Sequence, residues 1–74
     1  MSKVELLEML SHDTLSLGIG RGGISWYTRI GRAYVCPHAN VAALERQGHV
    51  AIDWRAFRAT ITSAGLAAIG KVAA

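Results

Sequence analysis

The sequence predicts one α+β domain over residues 1–74, built as helix, β-hairpin, helix, two-stranded β unit and helix. Three observations carry that prediction. Apolar residues recur at helical period at Val4, Leu7 and Leu10, and again at Val41 and Leu44. Apolar residues alternate in Ile24–Ile30, Val50–Ile52 and Phe57–Ile61, as half-buried strands require. Glycines, a proline and capping residues stand where one period gives way to the other. Seventy-four residues with 51% hydrophobic content suit a single core. A chain of this size buries only roughly 60% of the surface that its unfolded form exposes, so self-association would help it.

Ser2-Lys-Val-Glu5 has the spacing of a capping box, and Val4, Leu6, Leu7 and Leu10 follow it, so a first helix is expected from about Lys3 to Ser11. From Thr14 the period becomes two, with Leu15, Leu17 and Ile19 alternating with Ser16 and Gly18. This reads as a short strand running into the loop Gly20-Arg-Gly22-Gly23, with a distorted helical turn over Thr14–Leu17 as the other reading. Gly18-x-Gly20-x-x-Gly23 has the form of a dinucleotide fingerprint. That motif works only when its last glycine opens a helix facing the pyrophosphate, and Ile24-Ser-Trp26-Tyr-Thr28 is strand chemistry, so no cofactor is expected. Ile24, Trp26, Thr28 and Ile30 then share one face and Ser25, Tyr27 and Arg29 the other, which sends Trp26 to the core. Gly31-Arg32 makes the turn and Ala33–Cys36 returns as the hairpin partner. Tyr27 beside Arg29 or Arg32 is a pairing that can stack on a nucleic-acid strand; the plainer reading is a tyrosine covering the edge of its own sheet.

Pro37 pre-sets the first turn of the next helix, which carries Val41 and Leu44 and stops at Gly48 in a left-handed conformation. Val50–Ile52 and Phe57–Ile61 follow as strands, with Asp53-Trp54-Arg55 between them. Trp54 is either a lid on a small core or an exposed anchor for a partner. Thr62 is the N-cap of a last helix from Ser63 to about Val72, which holds Leu66 and Ile69 among alanines and glycines. Small residues permit close helix contact, so Leu66 and Ile69 are the expected surface of a homodimer.

The stretch "ALERQGHV … RATITSAGLAAI" resembles the end of winged-helix proteins: a leucine-bearing recognition helix ending in glycine, a two-stranded wing, and a "T-x-x-G" helix. The resemblance covers about half the chain. It implies a winged-helix-like domain whose recognition helix enters the major groove of DNA, with His38, Asn40 and Arg46 as base readers and Ala39 and Ala43 allowing close approach. It also implies that Arg55 and Arg58 project from the wing onto the DNA backbone. Residues 14–36 read as extended, so the helix that would precede the recognition helix has no counterpart. Compact proteins of this pattern are similar to regulators carried by bacteriophages and mobile elements.

Charge is unevenly distributed. Residues 1–13 set one lysine against three acids, while residues 21–58 set six arginines against two. The basic middle suits phosphate contact, since guanidinium forks bind phosphate oxygens in pairs, and Arg29, Arg32, Arg55 and Arg58 lie in expected strands or loops. The expected function is therefore a small DNA-binding regulator that contacts phosphates through a basic wing and hairpin. The alternative is an inhibitor or adaptor that uses the same scaffold, with Trp54, Tyr34 or the last helix, to bind a host protein. Catalysis finds no constellation: His12, His38 and His49 are scattered, and Glu45 and Asp53 have no partner. Cys36-Pro-His38 lacks the second ligand pair of a zinc site, and one cysteine allows no internal disulfide. A polar start and an apolar tail too short to cross a bilayer complete the expectation of a soluble cytoplasmic protein that is not an enzyme, needs no metal and avoids the membrane.

Overall fold

The computed structural model describes residues 2–20 and 22–71. Within them the order is α1 (Lys3–His12), β1 (Leu15–Gly20), β2 (Gly23–Thr28), β3 (Tyr34–Pro37), α2 (His38–Arg46), β4 (Val50–Asp53), β5 (Arg58–Ile61) and α3 (Ser63–Ala68). The protein is α+β, with three helices among the described residues and a five-stranded antiparallel sheet in the order β3-β2-β1-β5-β4.

Ser2 caps α1 as its spacing suggests: its Oγ accepts from the Glu5 amide at 3.2 Å and donates to the Glu5 carboxylate at 3.1 Å. Leu6, Leu7 and Leu10 are buried but Val4 is exposed, which corrects the expected stripe. At 3.6 residues per turn, Val4 falls roughly a third of a turn away from the line that those three leucines share.

Residues 15–20 form a full strand, so the helical reading of Thr14–Leu17 falls. β1 pairs with β2 from Leu15↔Thr28 to Gly20↔Gly23, placing the Gly18-x-Gly20-x-x-Gly23 spacing in a hairpin. The strand expected to reach Ile30 stops at Thr28. There the Thr28 Oγ donates to the Ile30 carbonyl and accepts from the Ala33 amide, both at 2.9 Å, closing a loop in which Ile30 is 82% exposed. Similarly β5 begins at Arg58, because Phe57 takes a positive φ of 55° and is exposed. The β4–β5 hairpin is continuous with the sheet: β5 pairs with β1 through Leu15↔Ala59 and Ser16↔Arg58, and the Leu17 amide donates to the Phe57 carbonyl at 2.9 Å.

Cross-strand partners share a face. Leu15, Trp26, Cys36, Val50 and Ala59 therefore point to one side, where they form a single core with the α1 leucines and with Val41 and Leu44 of α2. Trp26 and Val41 are wholly enclosed there. α3 joins the same side through Gly65, where any Cβ would collide with the His49 carbonyl oxygen and Ile61. All three helices thus leave the opposite face of the sheet uncovered.

The joint after α2 is built as its sequence suggests. Gly48 has φ 79°, its amide donates to Glu45 at 2.9 Å, and the His49 amide reaches back to Leu44 at 3.0 Å, which is a Schellman closure. α3 ends earlier than expected for the same reason: Gly70 has φ 76°, and the Lys71 amide closes on the Leu66 carbonyl at 2.8 Å. Val72, the expected end of that helix, lies outside the described residues. The Lys71 ammonium then reaches Glu8 at 2.9 Å and Ser11 at 3.2 Å, tying the end of α3 to α1.

Candidate nucleic-acid interface

The uncovered face is organised by one row that crosses all five strands. Tyr34 pairs with Tyr27, Tyr27 with Ser16, Ser16 with Arg58 and Arg58 with Asp53, so the face reads ring, ring, hydroxyl, guanidinium, carboxylate. Tyr27 lies over β1 because Gly18 has no side chain; a Cβ there would sit 2.5 Å from the ring. Tyr34 and Tyr27 form a T-shaped pair, with ring centroids 5.9 Å apart and planes at 79°, and Tyr34 is 59% exposed. Arg32, Tyr27, Gly18 and Ile19 line a cleft of about 200 Å³ beside the row. Arg32 holds its position at the loop with a φ of 49°.

The arginines of this region are not neutralised by internal pairs. Among the described residues the ion pairs are Glu8 with Lys71 at 2.9 Å and Glu8 with His12 at 3.8 Å, and no arginine takes part. Asp53 stands beside Arg58 in register, but its Oδ1 accepts from the Arg55 and Ala56 amides at 2.9 and 3.2 Å and so shapes the β4–β5 turn. Arg29, Arg32, Arg46, Arg55 and Arg58 are all exposed, and Arg21 lies outside the described residues.

The three base readers implied by the winged-helix resemblance do not converge. His38 is half-buried at the start of α2, where its Nδ1 accepts a hydrogen bond from the Trp26 indole at 3.1 Å. That nitrogen must be unprotonated, and it is committed to the core. The same ring also meets Trp54 in a T-shaped contact, with centroids 5.6 Å apart, so the 49% exposed Trp54 is part lid and part surface. Asn40 is exposed on a groove of about 290 Å³ between α2 and the start of α1, next to Lys3, Leu6 and Ala43. Arg46 is also exposed, but roughly 9 Å further along the helix axis at 1.5 Å per residue. Leu66 and Ile69 are half-buried, and Ile69 packs against the core, so the exposed side of α3 is Ser63, Ala64, Ala67 and Ala68.

Sequence reasoning singled out Tyr27, Arg32 and Arg58 but missed Ser16 and Gly18, and it assigned Tyr34 only to protein contact. The alternation around Trp26 was the available signal, since it already placed Tyr27 on the face away from the core. As for chemistry, Cys36 is buried on the core face of β3, and that burial pushes its thiol pKa up, so it is poorly suited to attack. Among the described residues no three His, Cys, Asp or Glu side chains gather as metal ligands, and no helix is long and apolar enough to cross a membrane. No protein-family model matches the chain, and no curated protein or solved structure matches it either.

Proposed function

We propose that the protein is a small non-enzymatic nucleic-acid-binding module that grips phosphate through Arg32 and Arg58 on the uncovered sheet face, with Arg29 and Arg55 at its margins. The observation that carries this reading is the row Tyr34–Tyr27–Ser16–Arg58 on a face that, among the described residues, no helix covers and that is bordered by arginines with no carboxylate partner among those residues. Unpaired guanidinium groups beside exposed aromatic rings are the side chains with which proteins hold nucleic acid. The winged-helix resemblance adds a finer reading, in which β4–β5 serves as the wing on DNA and the bound protein acts as a regulator of the phage or mobile-element kind. Salt titration tests the core of the proposal. Each neutralised phosphate contributes about −0.7 to −0.9 to the slope of log affinity against log salt, so a slope of about −2 to −4 is expected on mixed oligonucleotides. An affinity that ignores salt, or no binding at low salt, removes it.

A second reading rests on a different observation. Ile19 and Ile24 face each other at the exposed end of β1–β2, and the exposed Phe57 and Trp54 lie on the neighbouring turn. Exposed apolar groups in one region mark protein contacts, so an adaptor or inhibitor would use this end. Capture of a host protein that is abolished by Trp54→Ser and unaffected by Arg58→Ala supports it.

A further inference from the structure

We propose that the ligand of the uncovered face is a single strand, with two successive bases stacked on Tyr27 and Tyr34 and the adjoining phosphates met by Arg32 and Arg58. This rests on the nucleic-acid reading above and narrows it.

Shape decides against a duplex. Strands lie about 4.8 Å apart, so the five-stranded row is roughly 19 Å wide and cannot enter a major groove about 12 Å wide. A duplex also keeps its base faces stacked on one another, and a side chain reaches them only by prying a step apart, at a cost of roughly a few kcal/mol. A single strand has neither limit, and its bases stack on aromatic rings whatever their sequence.

The geometry of the two rings adds a second argument. Their planes cross at 79°, so bases stacked on both cannot remain parallel to each other. The strand that fits must splay its neighbouring bases, which only unpaired nucleic acid does at little cost. Tyr27 is already fixed over Gly18, so it loses little freedom on binding, while the exposed Tyr34 presents the more accessible ring. Ser16 keeps the row low between Tyr27 and Arg58, about two strand spacings apart, and leaves a trough for the sugar-phosphate backbone with the guanidinium as its far wall. Beyond Arg58 the Asp53 carboxylate ends the path, because a phosphate there meets like charge.

The experiment compares one fluorescent oligonucleotide of about 12 nucleotides as single-stranded DNA, as single-stranded RNA and as duplex DNA, read by anisotropy at equal salt. Binding of either single strand at least about tenfold tighter than the duplex is expected, and the tighter of the two identifies the sugar. Tyr34→Leu should weaken single-strand binding about tenfold, whereas Tyr34→Phe should retain it, because stacking needs the ring and not the hydroxyl. Tyr34 is exposed on an edge strand, so both variants should keep the far-ultraviolet circular dichroism of the parent. A duplex bound as well as the single strands, or a Tyr34→Leu variant that binds like the parent, overturns the single-strand proposal and leaves the phosphate reading standing. Failure of all three nucleic acids to bind overturns the phosphate reading itself.

Discussion

The hydroxyl of Thr62 donates to the carbonyl of Gly48 at 2.6 Å and accepts from the Gly65 amide at 3.1 Å, so one oxygen joins the end of α2 to the start of α3. The Thr62 amide adds a bond to the His49 carbonyl at 3.0 Å. Thr62→Val keeps the shape and removes the hydroxyl. We expect it to cost about 1–2 kcal/mol, the usual worth of an N-cap together with an unsatisfied partner, while Thr62→Ser keeps most of the stability. Equal urea midpoints for Thr62→Val and the parent count against this role.

Gly48 and Gly65 are both required, for different physical reasons. At Gly48 a Cβ meets nothing within 4 Å but the backbone has φ 79°, so Gly48→Val should cost about 1–3 kcal/mol of conformational strain alone. At Gly65 the φ is ordinary, and an added Cβ collides with the His49 carbonyl and drives α3 off the sheet. Gly65→Ala should therefore lower the melting temperature more than Gly48→Ala. The reverse order would mean that α3 is not held by close approach.

How much of this was legible in the sequence follows from the range of each interaction. The caps at Ser2 and Thr62, the stop at Gly48 and the inward Trp26 are written in residues a few positions apart, and the structure places them as read. Alternation also put Tyr27 on the outer face. It could not say which strand lies beside which, so the pairing of β5 with β1 and the row that runs from Tyr34 to Asp53 were out of reach. Where local signals competed, the stronger pattern misled: the alanine-rich run after Ser63 favours a longer helix than Gly70 permits, and the alternation through Ile30 hid the loop that Thr28 closes. The contact of His38 with Trp26 joins a helix start to a central strand, and no spacing announced it.

Because the Trp26 ring is wholly buried, its N–H depends on His38 Nδ1 as acceptor. His38→Phe should leave that donor unsatisfied and cost about 1–3 kcal/mol, and His38→Gln, whose carbonyl can accept, should recover part of it. The urea midpoint at constant m-value is the readout. Indistinguishable Phe and Gln variants would show that the hydrogen bond contributes little.

Burial raises the Cys36 pKa in the folded state. The folded protein thus disfavours the thiolate more than the unfolded chain does. Its contribution to stability is fully present below the ordinary thiol value of about 8.5 and is lost as pH rises from there through the folded value. Iodoacetamide should label Cys36 slowly in buffer and rapidly in urea, and Cys36→Ser should reduce the loss of stability on the alkaline side. Fast labelling of the folded protein contradicts the burial.

Arg58 lies in the cross-strand row and Arg55 on the turn that Asp53 shapes. Changing both to Ala should weaken binding to all nucleic-acid sequences alike and make the salt slope shallower by about two. An unchanged slope would remove this hairpin from the interface.

The β1–β5 pairing joins two parts of the sheet that could each form from neighbouring sequence: the meander of β1, β2 and β3, and the hairpin of β4 and β5. That seam is short, and its partners, Leu15 with Ala59 and Ser16 with Arg58, come from opposite ends of the chain. Of the strand pairings in the sheet it joins residues farthest apart in sequence, so its closure carries the largest loop-closure entropy. The row on the uncovered face crosses that seam between Ser16 and Arg58. A nucleic-acid strand lying along the row would act as a splint across that seam, so occupancy would be felt as a longer lifetime of the folded state.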